Sequence, residues 1–239
     1  MVRVLCLHGY ATSGPFMQLQ MKDFVKHFPE MQFEFINGQI EMPASLVGDP
    51  GIIRASPDKK YYTWKLNVLD GRIDNSLGDF LTGIERVIDH MNKNGPYDGI
   101  CGFSMGGGLA EYFTELYEKG ELKDKLKVDA PKFLMLCCAN YYRDNDDSYK
   151  TPSIHFVGKK DFLLEASLLV STKFLNPLVL KNGETHKFPK LSQDDIDAVR
   201  NYLKPITSKI KAKSLPSKAA PTKGQVVPKK TNEVPKPKL

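Results

Sequence analysis

The chain has 239 residues, 41% of them hydrophobic and 10% aromatic, enough for one large domain with a sizeable core and hardly enough for two. No apolar run approaches the roughly 20 residues that span a bilayer, and the apolar start of the chain is too short for a signal peptide. The formal charge of +6 resides at the end of the chain: residues 209–239 hold nine lysines and one glutamate, which leaves residues 1–208 at −2, a body that requires no acidic partner.

Val2–Leu7 (VRVLCL) reads as a short buried strand that stops at His8-Gly9. Leu19, Met21, Phe24, Val25 and Phe28 recur at close to helical spacing and predict a helix over 18–28, ended by Pro29. Residues 32–36 alternate as a second strand. Residues 38–75 scatter Met42, Leu46, Ile52, Ile53, Tyr61, Tyr62 and Trp64 without a period, and predict a long excursion in place of a regular element. Phe80, Leu81, Ile84, Val87, Ile88 and Met91 mark one face of a helix over 77–91, stopped by Asn94-Gly95-Pro96. Gly99–Phe103 is a strand, and 105–119 a helix with Leu109, Tyr112, Phe113 and Leu116 on one side. Three further apolar runs follow at 132–138, 153–157 and 178–180, then a final helix over 193–210.

Six strands alternating with helices are βαβ units, so the expected class is an α/β layered fold with a mostly parallel sheet and helices on both faces. The domain is placed at 1–208. Residues 209–239, with five prolines and no aromatic, offer too little apolar surface to offset ordering entropy and are expected to be a disordered, Lys/Pro-rich basic tail. Cys6, Cys101, Cys137 and Cys138 lie in apolar runs with no CxxC spacing, which suggests buried free thiols, a reducing compartment and a cytoplasmic protein.

Between the third helical signal and the strand before it lies Gly102-Phe103-Ser104-Met105-Gly106, a match to G-x-S-x-G. A strand leads in and a helix leads out, the context in which such a serine is exposed on a sharp turn as a nucleophile. A dinucleotide fingerprint fails because Glu111 occupies its last glycine position, and no Gly-Lys-Ser/Thr follows for a phosphate loop. The acid and base of such a site follow the serine in the order Asp or Glu, then His. Of five histidines, His8, His27 and His90 precede Ser104 and His155 lies inside an apolar strand; His186 remains, in a loop after the last strand. Asp161 closes a strand and glycine turn and is the preferred acid. Asp144, Asp146 and Asp147 are alternatives in a polar run that reads as a solvated loop. Ser104 would attack an acyl carbonyl, His186 would shuttle the proton and Asp161 would hold the imidazole. The backbone N–H groups of Met105 and Tyr10 are expected to form the oxyanion hole.

The stretches VLCLHGYATSG (4–14), NGPYDGICGFSMGGGLAEYF (94–113), PSIHFVGKKDFLL (152–164) and GETHKFP (183–189) resemble the "family serine hydrolase" (FSH) group, which includes fungal serine hydrolases and the animal ovarian-cancer-associated esterase. The resemblance spans about residues 2–205. It implies a minimal α/β-hydrolase fold, carboxylesterase-type activity without a cofactor, and Ser104, Asp161 and His186 as the triad; no metal ligands are assigned. Two positions depart from the family pattern: Met105 stands where Gln is frequent, and Glu184-Thr185 where Gly-Gly precedes the histidine.

The function expected is therefore hydrolysis of carboxylic esters, or of thioesters, through an acyl-enzyme. A non-catalytic ligand-binding protein on a hydrolase scaffold is the reading from another class. Met42, Ile52, Ile53, Tyr61 and Trp64 of the excursion are expected either to wall an acyl pocket or, for Trp64, to cover the core. The tail is expected to give at most weak contact with anionic surfaces, with no specific nucleic acid bound.

Overall fold

The computed structural model describes residues 1–65, 68–69, 72–73, 80–140 and 148–214. In chain order the elements are β1 (Val2–Leu7), α1 (Gly14–Gln20), α2 (Lys22–Lys26), β2 (Met31–Ile36), β3 (Ile40–Met42), α3 (Pro50–Ala55), β4 (Tyr61–Thr63), β5 (Val68–Leu69), β6 (Arg72–Ile73), α4 (Leu81–Asn94), β7 (Gly99–Phe103), α5 (Met105–Glu118), β8 (Phe133–Cys137), β9 (Ser153–Gly158), α6 (Leu164–Thr172), β10 (Leu178–Asn182) and α7 (Gln193–Ser214). Six strands form one sheet in the order β10-β9-β8-β7-β1-β2. Every pairing in it is parallel. The chain steps outward from β1 to β2, then returns across β1 to β7 and winds the other way. This reversal leaves a crevice at the C-terminal ends of β1 and β7, where ligands of open α/β sheets bind.

Period-two alternation sorts the strand residues onto two faces. Leu5, Leu7, Ile100, Leu134 and Leu136 face one core, with Ile84 and Val87 of α4 and Leu109 and Phe113 of α5. Val4, Cys6, Cys101, Phe133, Met135 and Phe156 face the other, with Met17 of α1, Phe24 of α2 and Val199 and Leu203 of α7. Each such side chain contributes about 1.5–3 kcal/mol on burial. β7, which leads into the site, is buried along its whole length, as are β8 and β9.

The helix expected over 18–28 is two helices, broken at Met21 (φ −87°, ψ 1°). The first begins earlier than its apolar spacing suggests, because Ser13 caps it: the Phe16 N–H donates to Ser13 Oγ at 3.2 Å. The sequence reading contains no helix corresponding to α6. Its Leu164, Leu168, Leu169 and Val170 do not repeat with a helical period, and Leu169 lies on the exposed side. α7 continues past Ile210 to Ser214. The Lys/Pro-rich residues 215–239 and the alternative acids Asp144, Asp146 and Asp147 lie outside the described residues.

The excursion carries more order than its sequence suggests. β3 pairs antiparallel with β4, and β5 with β6. Met42, Val47 and Tyr61 pack with Ala11 into a small separate core. Trp64 is fully buried in the main core. One residue fastens this segment at two points, Gly38 and Trp64. His8 Nε2 accepts the Gly38 N–H at 3.0 Å, and the His8 carbonyl accepts the Trp64 indole N–H at 2.8 Å. The other ring nitrogen, Nδ1, donates to the Gly9 carbonyl at 2.7 Å, so His8 is a satisfied, neutral core histidine. Burial lowers its pKa to about 4.

Candidate active site

Ser104 sits between β7 and α5 with φ 52° and ψ −117°, a conformation rare for a residue with a side chain. Its neighbours explain how the turn is kept. The Ser104 N–H donates to the Cys137 carbonyl at 3.0 Å, and its own carbonyl accepts the Gly107 and Asn140 N–H groups at 2.9 and 3.2 Å. A β-carbon on Gly106 would fall on the Leu7 carbonyl, and one on Gly102 would lie 2.5 Å from the Gly106 carbonyl. Glycine at both places lets the helix start directly against β1 and β7.

The helix that begins at Met105 has no side-chain cap. The Met105 N–H and the Tyr10 N–H make no hydrogen bond among the described residues. Both therefore remain available beside Ser104, the first with the positive end of a helix dipole behind it. The β1 turn packs on the elbow: a β-carbon on Gly9 would stand 3.4 Å from Ser104 Cβ.

Asp161 follows β9, and its carboxylate is buried. His186 follows β10, and its Nδ1 lies 2.9 and 3.0 Å from the two carboxylate oxygens of Asp161. The turns that carry them are tied together. The Lys159 N–H donates to the Asn182 carbonyl at 2.9 Å and the Lys160 N–H to the Glu184 carbonyl at 3.1 Å. A β-carbon on Gly158 would collide with the Glu184 and Thr185 carbonyls at 2.6 and 2.7 Å, so the glycine before the aspartate is what lets the histidine loop close down. Burial alone would lower the His186 pKa, but Cys138 and Asp161 beside it outweigh that and raise it above the ordinary 6.5.

Ser104 and His186 line one cavity of about 470 Å³, with Tyr10, Phe16, Gln20, Asp49, Ile52, Phe103 and Phe162. Their side chains make no hydrogen bond to each other here; such bonds often tighten only around a substrate. A second cavity of about 230 Å³ shares Tyr10, Ser104 and Phe162 and adds Lys65, Met105, Asn140 and Leu163. Ser104 thus stands between two spaces of unequal size. Of the excursion residues expected in a pocket wall, Ile52 is there; Met42, Tyr61 and Trp64 are packed in cores.

Two residues escaped the sequence reading. Phe162 is 80% exposed, and its ring centroid lies 4.6 Å from that of His186. Its position directly after Asp161 was the available signal. Cys138 directly follows β8 with φ 50°, which breaks the strand alternation and brings its sulfur to the same face as that of Cys137, 3.9 Å away. That hydrogen bond from Cys137 is the largest influence on its thiol, followed by opposing burial and then by His186; together they lower its pKa to about 7.

A wholly parallel sheet whose serine elbow sits at the reversal of strand order is the arrangement of the α/β-hydrolase fold. Within that fold the chain belongs to the Serine hydrolase (FSH1) family, whose match runs over residues 1–197. It is 27% identical over 205 residues to Esterase GA18864 of Drosophila pseudoobscura pseudoobscura, across 80% of this chain and 68% of that one. With Esterase FPY3 of Fusarium mangiferae it shares 23% identity over 236 residues, across 87% and 98% of the two chains. The crystal structure of SOBER1 from Arabidopsis thaliana superposes with a TM-score of 0.54 at 17% identity, over 86% of this chain and 99% of that one, a likeness of fold. Among the described residues no helix is long and apolar enough to cross a membrane.

Proposed function

We propose that this serine hydrolase cleaves carboxylic esters, with thioesters as a second leaving-group class, through Ser104, His186 and Asp161 and an acyl-enzyme intermediate. The observation that carries the reading is the 2.9 Å contact of His186 Nδ1 with Asp161, on an imidazole that shares a cavity with the Ser104 elbow. Asp161 fixes the Nδ1–H tautomer, which leaves the Nε2 lone pair to take the Ser104 hydroxyl proton as Oγ attacks the carbonyl carbon. The developing oxyanion is received by the Met105 and Tyr10 N–H groups, each such donor being worth about 10²–10³ in kcat. The imidazolium then protonates the leaving alcohol or thiol, and water repeats the sequence to release the acid. The names of the two relatives, both esterases, support the same reaction class.

The larger cavity, apolar at Phe16, Ile52, Phe103 and Phe162, suits one limb of the substrate, and the smaller one the other. All four cysteines are buried and free, which supports a reducing, cytoplasmic setting.

The test is labelling with a fluorophosphonate, wild type against Ser104→Ala, followed by ester hydrolysis on both. Labelling confined to the wild type, with kcat lower in the variant by about 10⁶-fold, is expected. A well-folded wild type that neither labels nor turns over esters would refute the proposal.

A further inference from the structure

We propose that the acid–base pair doubles as a binding site for a thiophilic divalent metal such as zinc, formed by Cys138, Asp161 and His186, and that metal and hydrolysis exclude each other. The regulatory half of this inference rests on the esterase reading above; the metal site itself does not.

The ligating atoms of Cys138, Asp161 and His186 lie within 4.8 Å of one another. Tetrahedral zinc holds sulfur at about 2.3 Å and nitrogen or carboxylate oxygen at about 2.0–2.2 Å, which sets its ligand atoms about 3.3–3.7 Å apart. The 2.9–3.0 Å contacts between His186 and Asp161 need to open by a few tenths of an ångström, and the widest separation, within 4.8 Å, to close by up to about one ångström. Sulfur with imidazole selects zinc-like ions over magnesium or calcium. The sulfur is there for a stated structural reason. At φ 50° Cys138 abandons the alternation of β8, and its Sγ comes within 4.0 and 3.7 Å of the Thr185 and Lys187 carbonyls that flank the histidine. A hydrolase triad has no use for this thiol, and it is 1% exposed. Either carbonyl, or a water, can complete a fourth position. The imidazole, 22% exposed, lines the cavity, whereas Asp161 and Cys138 are buried behind the lining, so the histidine is the ligand a metal meets first.

The proton balance explains the exclusion. Cys138 gives up its S–H proton to solvent, and the metal takes the resulting thiolate, one Asp161 oxygen and the Nδ1 lone pair of His186. For the ring to stay neutral its proton moves from Nδ1 to Nε2. One proton is released per metal bound. Nε2 is then a donor and can no longer accept the proton of Ser104.

The test titrates cadmium into the chelator-treated full-length protein. Expected are a sulfur-to-cadmium charge-transfer absorption saturating at one equivalent, loss of ester hydrolysis in step with it, and recovery with EDTA. Cys138→Gly suits the φ of 50° and keeps the backbone. It should lose the band and need at least about tenfold more metal for half-inhibition of its own metal-free rate, the scale on which even a ligand's supporting partners count. No band in the wild type, or the same band and the same metal dependence in the variant, overturns the site. Should that variant not fold, X-ray absorption of the zinc-loaded wild type decides: a shell with sulfur and imidazole is expected, and one of oxygen alone overturns it. A band in a protein that neither labels with fluorophosphonate nor turns over esters supports the metal site and removes the esterase reading. An active, labelled protein without the band removes the metal site alone.

Discussion

Asp161 presents both carboxylate oxygens to His186 Nδ1, at 2.9 and 3.0 Å, from the ends of two neighbouring strands. With Cys138 this contact raises the His186 pKa above 6.5, and a general base works only when neutral. Activity is expected to fall as pH drops through that raised value, measured as kcat/KM against pH in the presence of a chelator. On the proposed mechanism Asp161→Asn should cut kcat by about 10⁴-fold, as the same change does in a serine-protease triad, and move the acidic limb to lower pH. An unmoved limb would mean that another group titrates.

Phe162 separates binding from stability. Its exposed ring rests against His186 and borders both cavities. Phe162→Ala should change unfolding free energy by no more than about 0.5 kcal/mol. KM should rise about three- to tenfold, the worth of one aromatic contact. Urea unfolding and steady-state kinetics on the same preparation check both halves.

Trp64 makes the opposite case. It is fully buried and its indole N–H satisfies the His8 carbonyl. Trp64→Ala is expected to cost about 3–5 kcal/mol in urea unfolding, from a cavity no neighbour can fill. Trp64→Phe keeps most of the volume and loses the hydrogen bond, for about 1–3 kcal/mol. A stable Trp64→Ala with an altered acyl-chain preference would return the residue to the pocket wall.

Acid should unfold the protein through its buried histidines. Burial lowers His8 to about 4 and His155 to about 3. Unfolded, each titrates near the ordinary 6.5, so the unfolded chain binds more protons and stability drops as pH falls below that value. Each group steepens the loss by up to about 1.4 kcal/mol per pH unit until its folded pKa is reached. In His155→Leu, where the ring's packing on Phe174 can be kept, the slope of stability between pH 6 and about 4 should lessen by one group's share.

The sheet was legible in the sequence because β2 alternates and the other strands are short apolar runs, continuous in the buried β7 and β8. The turn at Ser104 was legible from Gly102 and Gly106, both of which the structure requires where backbones touch. What was hidden had tertiary causes. α6 buries scattered faces and so lacks a period. β3 and β4 are three residues each and exist through their pairing, not their propensity. Trp64 is an aromatic amid polar residues, and nothing local distinguishes a pocket wall from a core plug. Cys138 turned toward the histidine through one unusual φ, which no spacing rule carries.

The two bonds at His8 give the excursion an architecture of its own. The segment leaves the sheet's edge at Gly38 and passes β1's end again at Trp64, and both points are fastened to His8. Everything between them is a closed loop with its own small core, delivering Asp49 and Ile52 to the cavity. Such a loop is exchangeable in the manner of a cartridge: a homologous stretch from another family member, spliced between the two fastenings, would bring a different pocket wall while Ser104, His186 and Asp161 stay where they are. Substrate preference and catalytic chemistry would then diversify independently in this family, with one histidine as the socket.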